Sequence, residues 1–313
     1  MRKFLTSIVL FLVAYAILHV IAICSLGNNR FFNLTYYQIG SYGHMFTRIK
    51  DIPNHPEPEI LFLGSSRAYR SFDTRIFENA GISTFNLGSS SQTPMQTEVL
   101  LKKYLDEINP KSILFEVYYG VFLNNGIEST TDLISNDHID AEICKLAIKS
   151  KSIKVINTLI FGAYQEYCRG IRNTFQEKLI KEGDIYVKGG YIEKTDYTPF
   201  VPSDSKTPIE FCNRIQPYQI KAFGNCIKII QDKHIPYFLV TSPSPESINS
   251  RFSDHKAFKE LMSSYGPYQD INEIIQLDDS CFYDATHLSP KGVELFDECL
   301  IHVLDSIGFI ESK

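Results

Sequence analysis

Two short runs in this chain carry residue types that can do covalent chemistry together. Gly64-Ser65-Ser66-Arg67 directly follows the apolar run Glu59 to Leu63, and Asp284-Ala285-Thr286-His287 precedes Leu288-Ser289-Pro290. A serine hydroxyl is a usable nucleophile only when a base removes its proton. Histidine is the usual base near neutral pH, and an aspartate three residues earlier on a loop can accept from its other ring nitrogen and fix its tautomer. Ser66, His287 and Asp284 are therefore candidates for nucleophile, base and orienting acid. Each run also has a plain reading, a strand-to-helix turn capped by serine and a surface histidine beside an acid. Taken singly, each motif is weak.

The elements around them decide whether they can meet. Glu59 to Leu63, Ser83 to Leu87, Ser112 to Val117 and Pro236 to Thr241 are short apolar runs bounded by turn residues, the signature of buried strands. Helical spacing predicts a short helix over 73–79 and longer ones over 94–109 and 215–232. In the last helix Ser289 suits the N-cap, Pro290 suits N1, and Val293, Leu295, Phe296, Leu300, Val303 and Leu304 form an apolar face. Apolar strands alternating with helices predict an α/β, flavodoxin-like three-layer α/β/α fold with a parallel sheet. In such a sheet ligands bind beyond the carboxyl ends of the strands, where Gly64-Ser65-Ser66 falls. Glycine there permits a tight turn and close approach of a ligand.

Taken together, these blocks resemble the SGNH (GDSL-like) hydrolase family over roughly 59–120 and 216–307. That family's Gly-Asp-Ser block reads Gly64-Ser65-Ser66 here, so the resemblance puts the nucleophile at Ser66 rather than Ser65. Its second block has a glycine whose N–H helps form the oxyanion hole, and Gly88 in Phe85-Asn86-Leu87-Gly88 matches. Its Asp-x-x-His block falls on Asp284 and His287. The resemblance thus implies a Ser66–His287–Asp284 triad with Ser66 and Gly88 N–H groups as the oxyanion hole. One departure is substantial, because the Gly-x-Asn-Asp block is missing. Glu116 to Phe122 stands there without the asparagine, and one oxyanion donor is typically worth about 3–4 kcal/mol. Arg67 and Asn86 are candidate substitutes or substrate-binding groups. Glu116 reads better as a structural hydrogen-bonding residue than as a catalytic one.

The N-terminus adds a location. Phe4 to Leu26 has no Lys, Arg, Asp or Glu, and at about 1.5 Å per residue it reaches roughly 34 Å, enough for a hydrocarbon core of about 30 Å. Arg2 and Lys3 precede it, so the positive-inside bias places the N-terminus in the cytoplasm and the rest outside, periplasmic or extracellular. A cleaved signal peptide has a shorter apolar core and a small-x-small site, which Ala22-Ile23-Cys24 matches poorly. His19 inside the segment reads as a tolerated, partly snorkelling group. The domain plan is an anchor over 1–26, a stem and linker over 27–58, and a catalytic domain over 59–313. That domain carries an inserted helical region at about 124–214.

Composition bounds the rest. The 313 residues are 44% hydrophobic, 21% charged and 13% aromatic, which excludes a mostly disordered or polytopic membrane chain. A net charge of −5 gives no electrostatic footprint for nucleic acid. Residues 145–188 hold an excess of Lys and Arg that reads as a solvated helix face rather than a surface for an anionic polymer. Cys144, Cys168, Cys212, Cys226, Cys281 and Cys299 follow the anchor without zinc spacing, and they are buried thiols or disulfides in pairings that sequence does not choose. No metal or cofactor is implied.

The anchor and the altered nucleophile block look like the membrane-anchored branch of the family that moves acyl groups onto envelope polymers. The expected function is therefore a serine esterase or O-acyltransferase acting on acyl esters of cell-envelope polysaccharide. Its partners would be the lipid bilayer through residues 4–26, the acylated polymer and a membrane acyl-donor protein. Two alternatives stay open. One is a catalytically silent, membrane-tethered glycan-binding or scaffold protein, which the missing asparagine favours. The other is a phosphate site built on Arg67 and Arg70.

Overall fold

A computed structural model describes residues 1–28, 33–202, 207–209 and 214–310. Its centre is a parallel sheet of five strands: β1 (Ile60–Leu63), β2 (Thr84–Asn86), β3 (Ser112–Glu116), β7 (Tyr237–Thr241) and β8 (Tyr268–Asp270). Their order is β2-β1-β3-β7-β8. This is the doubly wound order in which β1 lies at the switch point, with β2 on one side and β3 on the other. Because side chains alternate across a strand, the sheet feeds two cores. Leu61, Leu63, Ile113, Phe115 and Leu239 pack against the helices Pro94–Ile108 and Pro217–Asp232. Ile60, Phe62, Leu114, Phe238 and Val240 pack against the helices Thr74–Asn79 and Pro290–Ser306. The α/β three-layer expectation is what the chain does.

The helix ends follow their side chains. Thr93 and Gln96 form a capping box, with Pro94 just inside the helix start. Ser289 caps the last helix by accepting from the Gly292 N–H at 3.4 Å, and Pro290 follows it. Both ends fall where the residue pattern puts them.

Three expectations need correction. Residues 33–58 are not a free stem: Met45, Phe46, Arg48 and Ile52 are buried, and Arg48 donates to the Gly190 carbonyl at 2.9 Å. An apolar helix face of Met45–Asp51 draws this stretch onto the body. The insertion is helical only in its first part, from Ile127 to Thr174. After that it forms an antiparallel sheet of β4 (Ile180–Lys181), β5 (Asp184–Val187) and β6 (Tyr191–Lys194). Its first turn is Glu182-Gly183 with both φ angles positive, at 52° and 74°, the arrangement that tight two-residue hairpins require. Finally, His19 does not snorkel. Its Nε2 lies 2.9 Å from Asn157 Oδ1 on the helix Ile153–Ala163.

The helix Arg2–Leu26 has a mean hydropathy of 2.6 in its most apolar stretch and is long enough to span a membrane. The six described cysteines Cys24, Cys144, Cys168, Cys226, Cys281 and Cys299 are free thiols, and Cys212 lies outside the described residues.

Candidate active site

At the end of β1 the backbone turns sharply through Gly64, whose φ of +143° suits only glycine. A Cβ there would also lie 2.9 Å from that of Ala68 and 3.0 Å from that of Glu116. The turn leads into the short helix Ser66–Ser71. The two serines of the motif then divide their work. Ser65 is the N-cap, its buried hydroxyl accepting from the Arg67 N–H at 3.3 Å. Ser66 occupies the first helical position, half-buried, with its hydroxyl turned to the last loop. Its N–H has no hydrogen-bond partner among the described residues.

The last loop is shaped by Asp284. Its Oδ1 accepts from the N–H groups of Thr286 at 2.7 Å and His287 at 2.9 Å, and from the Thr286 hydroxyl at 2.9 Å. An aspartate bonding backbone two residues on makes its own turn. The bridge between Phe282 and Leu288 and the Ser289 N–H to Cys281 carbonyl bond at 2.8 Å close the loop at its base.

The two runs meet. Ser66 Oγ lies 2.8 Å from His287 Nε2, and His287 Nδ1 lies 2.8 Å from Asp284 Oδ2. Because an ionised carboxylate only accepts, Nδ1 carries the proton and Nε2 is left to accept from the serine. The charges fit this arrangement. Burial opposes ionisation of Asp284, but hydrogen bonds from His287 and Thr286 outweigh it and hold the carboxyl down at about 2. Burial pushes His287 below its ordinary value, against the pull of Asp284 and with help from Arg70 and Arg67. The ring is therefore neutral near pH 7 and able to take a proton. Tyr283 stacks on it at 5.5 Å with planes 11° apart, and Arg70 lies over Tyr283.

Arg67 holds these parts in register and does not face a ligand. It is 1% exposed, and each of its five N–H groups meets an acceptor: Glu116, Ser244, Thr286, Ser242 and Pro243. The 2.8 Å bond to the Thr286 carbonyl ties the residue after Ser66 to the residue before His287. This corrects the expectation that Arg67 binds substrate. Asn86 is corrected in the same way, since its fully buried amide donates to the Ala68 carbonyl at 2.9 Å and accepts from the Gly88 N–H at 3.0 Å. The Gly88 N–H expected in an oxyanion hole is therefore engaged with Asn86. A phosphate site on Arg67 and Arg70 also loses its basis, because Arg70 makes a two-pronged pair with Asp184 at 3.0 and 2.7 Å. Glu116 has the structural role expected of it, accepting from Arg67 and from Ser242 at 3.0 Å each. Burial raises its carboxyl against the pull of Arg67.

Sequence reasoning missed Thr286 and Tyr283. Thr286 stands inside the Asp-x-x-His spacing and its hydroxyl lies 3.1 Å from His287 Nδ1. Its position between the two named residues was the available signal.

No family model and no curated protein matches the chain. Solved structures that align with it include two from Bacteroides. One, assigned as an acylhydrolase from Bacteroides fragilis, is 10% identical, covers 85% of this chain and 98% of its own, and gives a TM-score of 0.41. The other, a GDSL-like lipase from Bacteroides thetaiotaomicron, is 8% identical, covers 85% and 100%, and gives 0.39. The chain is similar to both. At such identity and TM-score the likeness says nothing of chemistry, and the reading of the site rests on Ser66, His287 and Asp284 themselves.

Proposed function

We propose that this chain is an SGNH-type serine hydrolase of acyl esters, held at a membrane by Arg2–Leu26. The observation that carries the reading is the continuous hydrogen-bond chain from Ser66 Oγ through His287 to Asp284, 2.8 Å at each link. His287 Nε2 takes the Ser66 proton as Oγ attacks the ester carbonyl. Asp284 keeps its charge and stabilises the imidazolium. The C–O bond of the ester then breaks, the leaving alcohol takes the proton from His287, and the acyl group stays on Ser66. In the second half a water or a sugar hydroxyl gives its proton to His287 and attacks the acyl carbonyl, the bond from that carbon to Oγ breaks, and His287 returns the proton to Ser66. The Ser66 N–H is the donor available to the developing oxyanion, and Gly88 joins it once its bond to Asn86 opens.

The acceptor in that second half separates an esterase from an O-acyltransferase, and both use the same triad. The anchor favours an acyl ester of cell-envelope polysaccharide as substrate, with the site outside the cytoplasmic membrane and an acyl donor supplied by a membrane protein. The engaged Gly88 N–H favours the second reading, a tethered glycan-binding protein without turnover. A p-nitrophenyl acetate assay of the full chain, with and without an added oligosaccharide, separates these. Nitrophenol release lost in Ser66→Ala is expected, and an acylated sugar marks the transferase. No release from folded wild type would sink the enzyme and leave the binding protein.

A further inference from the structure

The basic excess within 145–188 and the packing of the N-terminal helix bear on the same place. The helix Ala141–Lys149 turns through Ser150-Lys151-Ser152 into the helix Ile153–Ala163. The inner side of this hairpin is fixed in the main core by Ile143, Leu146, Ala147 and Val155. Its tip is different. Ile148 and Ile153 are 68% and 71% exposed, and Lys145, Lys149 and Lys151 stand exposed around them.

The tip's height follows from the contacts with Arg2–Leu26. Asn157 meets His19 at 2.9 Å, and one turn later the Phe161 ring lies against Gly27, where a Cβ would fall 2.5 Å from it. Contacts that advance together along both helices mean that they run in the same sense. Ile153, one turn before Asn157, therefore lies beyond His19 on the side away from Leu26. His19 itself is about 10 Å below Leu26 at 1.5 Å per residue.

We propose that the tip of this hairpin, Ile148 to Lys154, is a second membrane contact that dips into the leaflet at the Leu26 end. Ile148 and Ile153 enter the acyl chains of that leaflet, and Lys149 and Lys151 extend their stems back toward phosphate groups of anionic lipid. The inference rests on the reading of Arg2–Leu26 as membrane-spanning. With that helix in a bilayer, a hairpin that packs beside it below its outer end meets lipid. Exposed isoleucines ringed by lysines are the composition that an interface takes up. The contact would hold the catalytic body at a fixed tilt, which one helix through a lipid phase does not do.

The sequence contains no tryptophan, so single substitutions report position directly. Full-length Ile153→Trp, Leu12→Trp and Leu295→Trp are reconstituted in vesicles of phosphatidylcholine and phosphatidylglycerol, with bromine placed near either the glycerol or the tail end of the acyl chains. Leu295 lies on the helix at the opposite face of the sheet and serves as the aqueous reference. Blue-shifted Ile153→Trp emission, quenched by bromine on the acyl chains and weakened by Lys149→Glu with Lys151→Glu, is the expected result. Quenching of Leu12→Trp with Ile153→Trp matching Leu295→Trp would keep the anchor and overturn the hairpin contact. Unquenched Leu12→Trp would overturn the anchor and the hairpin contact with it. Ile148→Trp gives an independent reading should Ile153→Trp not fold, and the same outcomes apply.

Discussion

Arg67 and Ile153 are opposite cases within one body. The arginine is 1% exposed and has an acceptor for each of its five N–H groups, while the isoleucine leaves 71% of its surface uncovered. At the carboxyl edge of the sheet, Arg67 and Asp284 tie the two loops together, so the serine, the ring and the carboxylate stand in position before any ligand arrives. At the end beside Arg2–Leu26, apolar side chains are left open. Burying one such side chain contributes about 1.5–3 kcal/mol, which is the gain the proposed membrane contact would draw on. A buried cation tied to both loops preorganises the chemistry, whereas the open hairpin tip is the surface that the proposed membrane contact would cover.

The largest expected break in this comparison is Ser66→Ala. Because the Ser66 hydroxyl is bonded only to His287 among the described residues, the variant should keep its melting temperature. Its kcat on an aryl ester should fall by about 10⁴ to 10⁶. Asp284→Asn comes next, with a loss of about 10⁴ in kcat from a misoriented ring tautomer. Here a fall in KM alone would count against the orienting role.

Arg67→Met tests the closed end through stability. Removing the cation leaves the Glu116 carboxylate buried without its partner, at a cost of about 3–5 kcal/mol measured by urea unfolding. The double variant Arg67→Met with Glu116→Gln should recover part of this loss. Equal instability of the two would mean that the lost carbonyl contacts dominate.

The smallest effects are those of pH. His287 acts as base only when neutral, and its pKa is lowered, so kcat/KM should rise with pH through a limb below the ordinary value of about 6.5 and be flat by pH 7. A limb above 6.5 would contradict the burial argument. Asp132 gives a matching test in stability. Burial raises its carboxyl to about 7, against hydrogen bonds from Ser41 and Asn136 and the field of Arg48. Its folded pKa thus exceeds its unfolded one, so its contribution is full below about 4 and is lost as pH rises to about 7. Asp132→Asn should flatten the melting temperature over that window.

What was legible in the sequence follows from the same contrast. The strands β1, β3 and β7 and the helix after Ser289 announce themselves because burial on both faces demands continuous apolar residues and caps obey local rules. Ser66, His287 and Asp284 were legible only jointly, since each run is weak alone and the combination of blocks carried the reading. β8 was not, since Tyr268-Gln269-Asp270 is a short, polar edge strand. The hairpin β4–β5 hid behind its charges, although Glu182-Gly183 marked its turn. Arg67 and the packed residues 33–58 were misread because their partners are carbonyls and side chains distant in sequence, which only the fold brings near, and Asn86 because its amide joins the Ala68 carbonyl to the nearby Gly88 N–H.

The most direct test of the account is intact and peptide-level mass measurement after a fluorophosphonate probe, applied to the full chain. The variants are wild type, Ser65→Ala, Ser66→Ala and His287→Ala. One adduct, on the Ser66 peptide of wild type and Ser65→Ala and absent from the other two, is the predicted result. An adduct on Ser65, or none on folded wild type, would contradict the claim that the Ser66 hydroxyl is activated by His287.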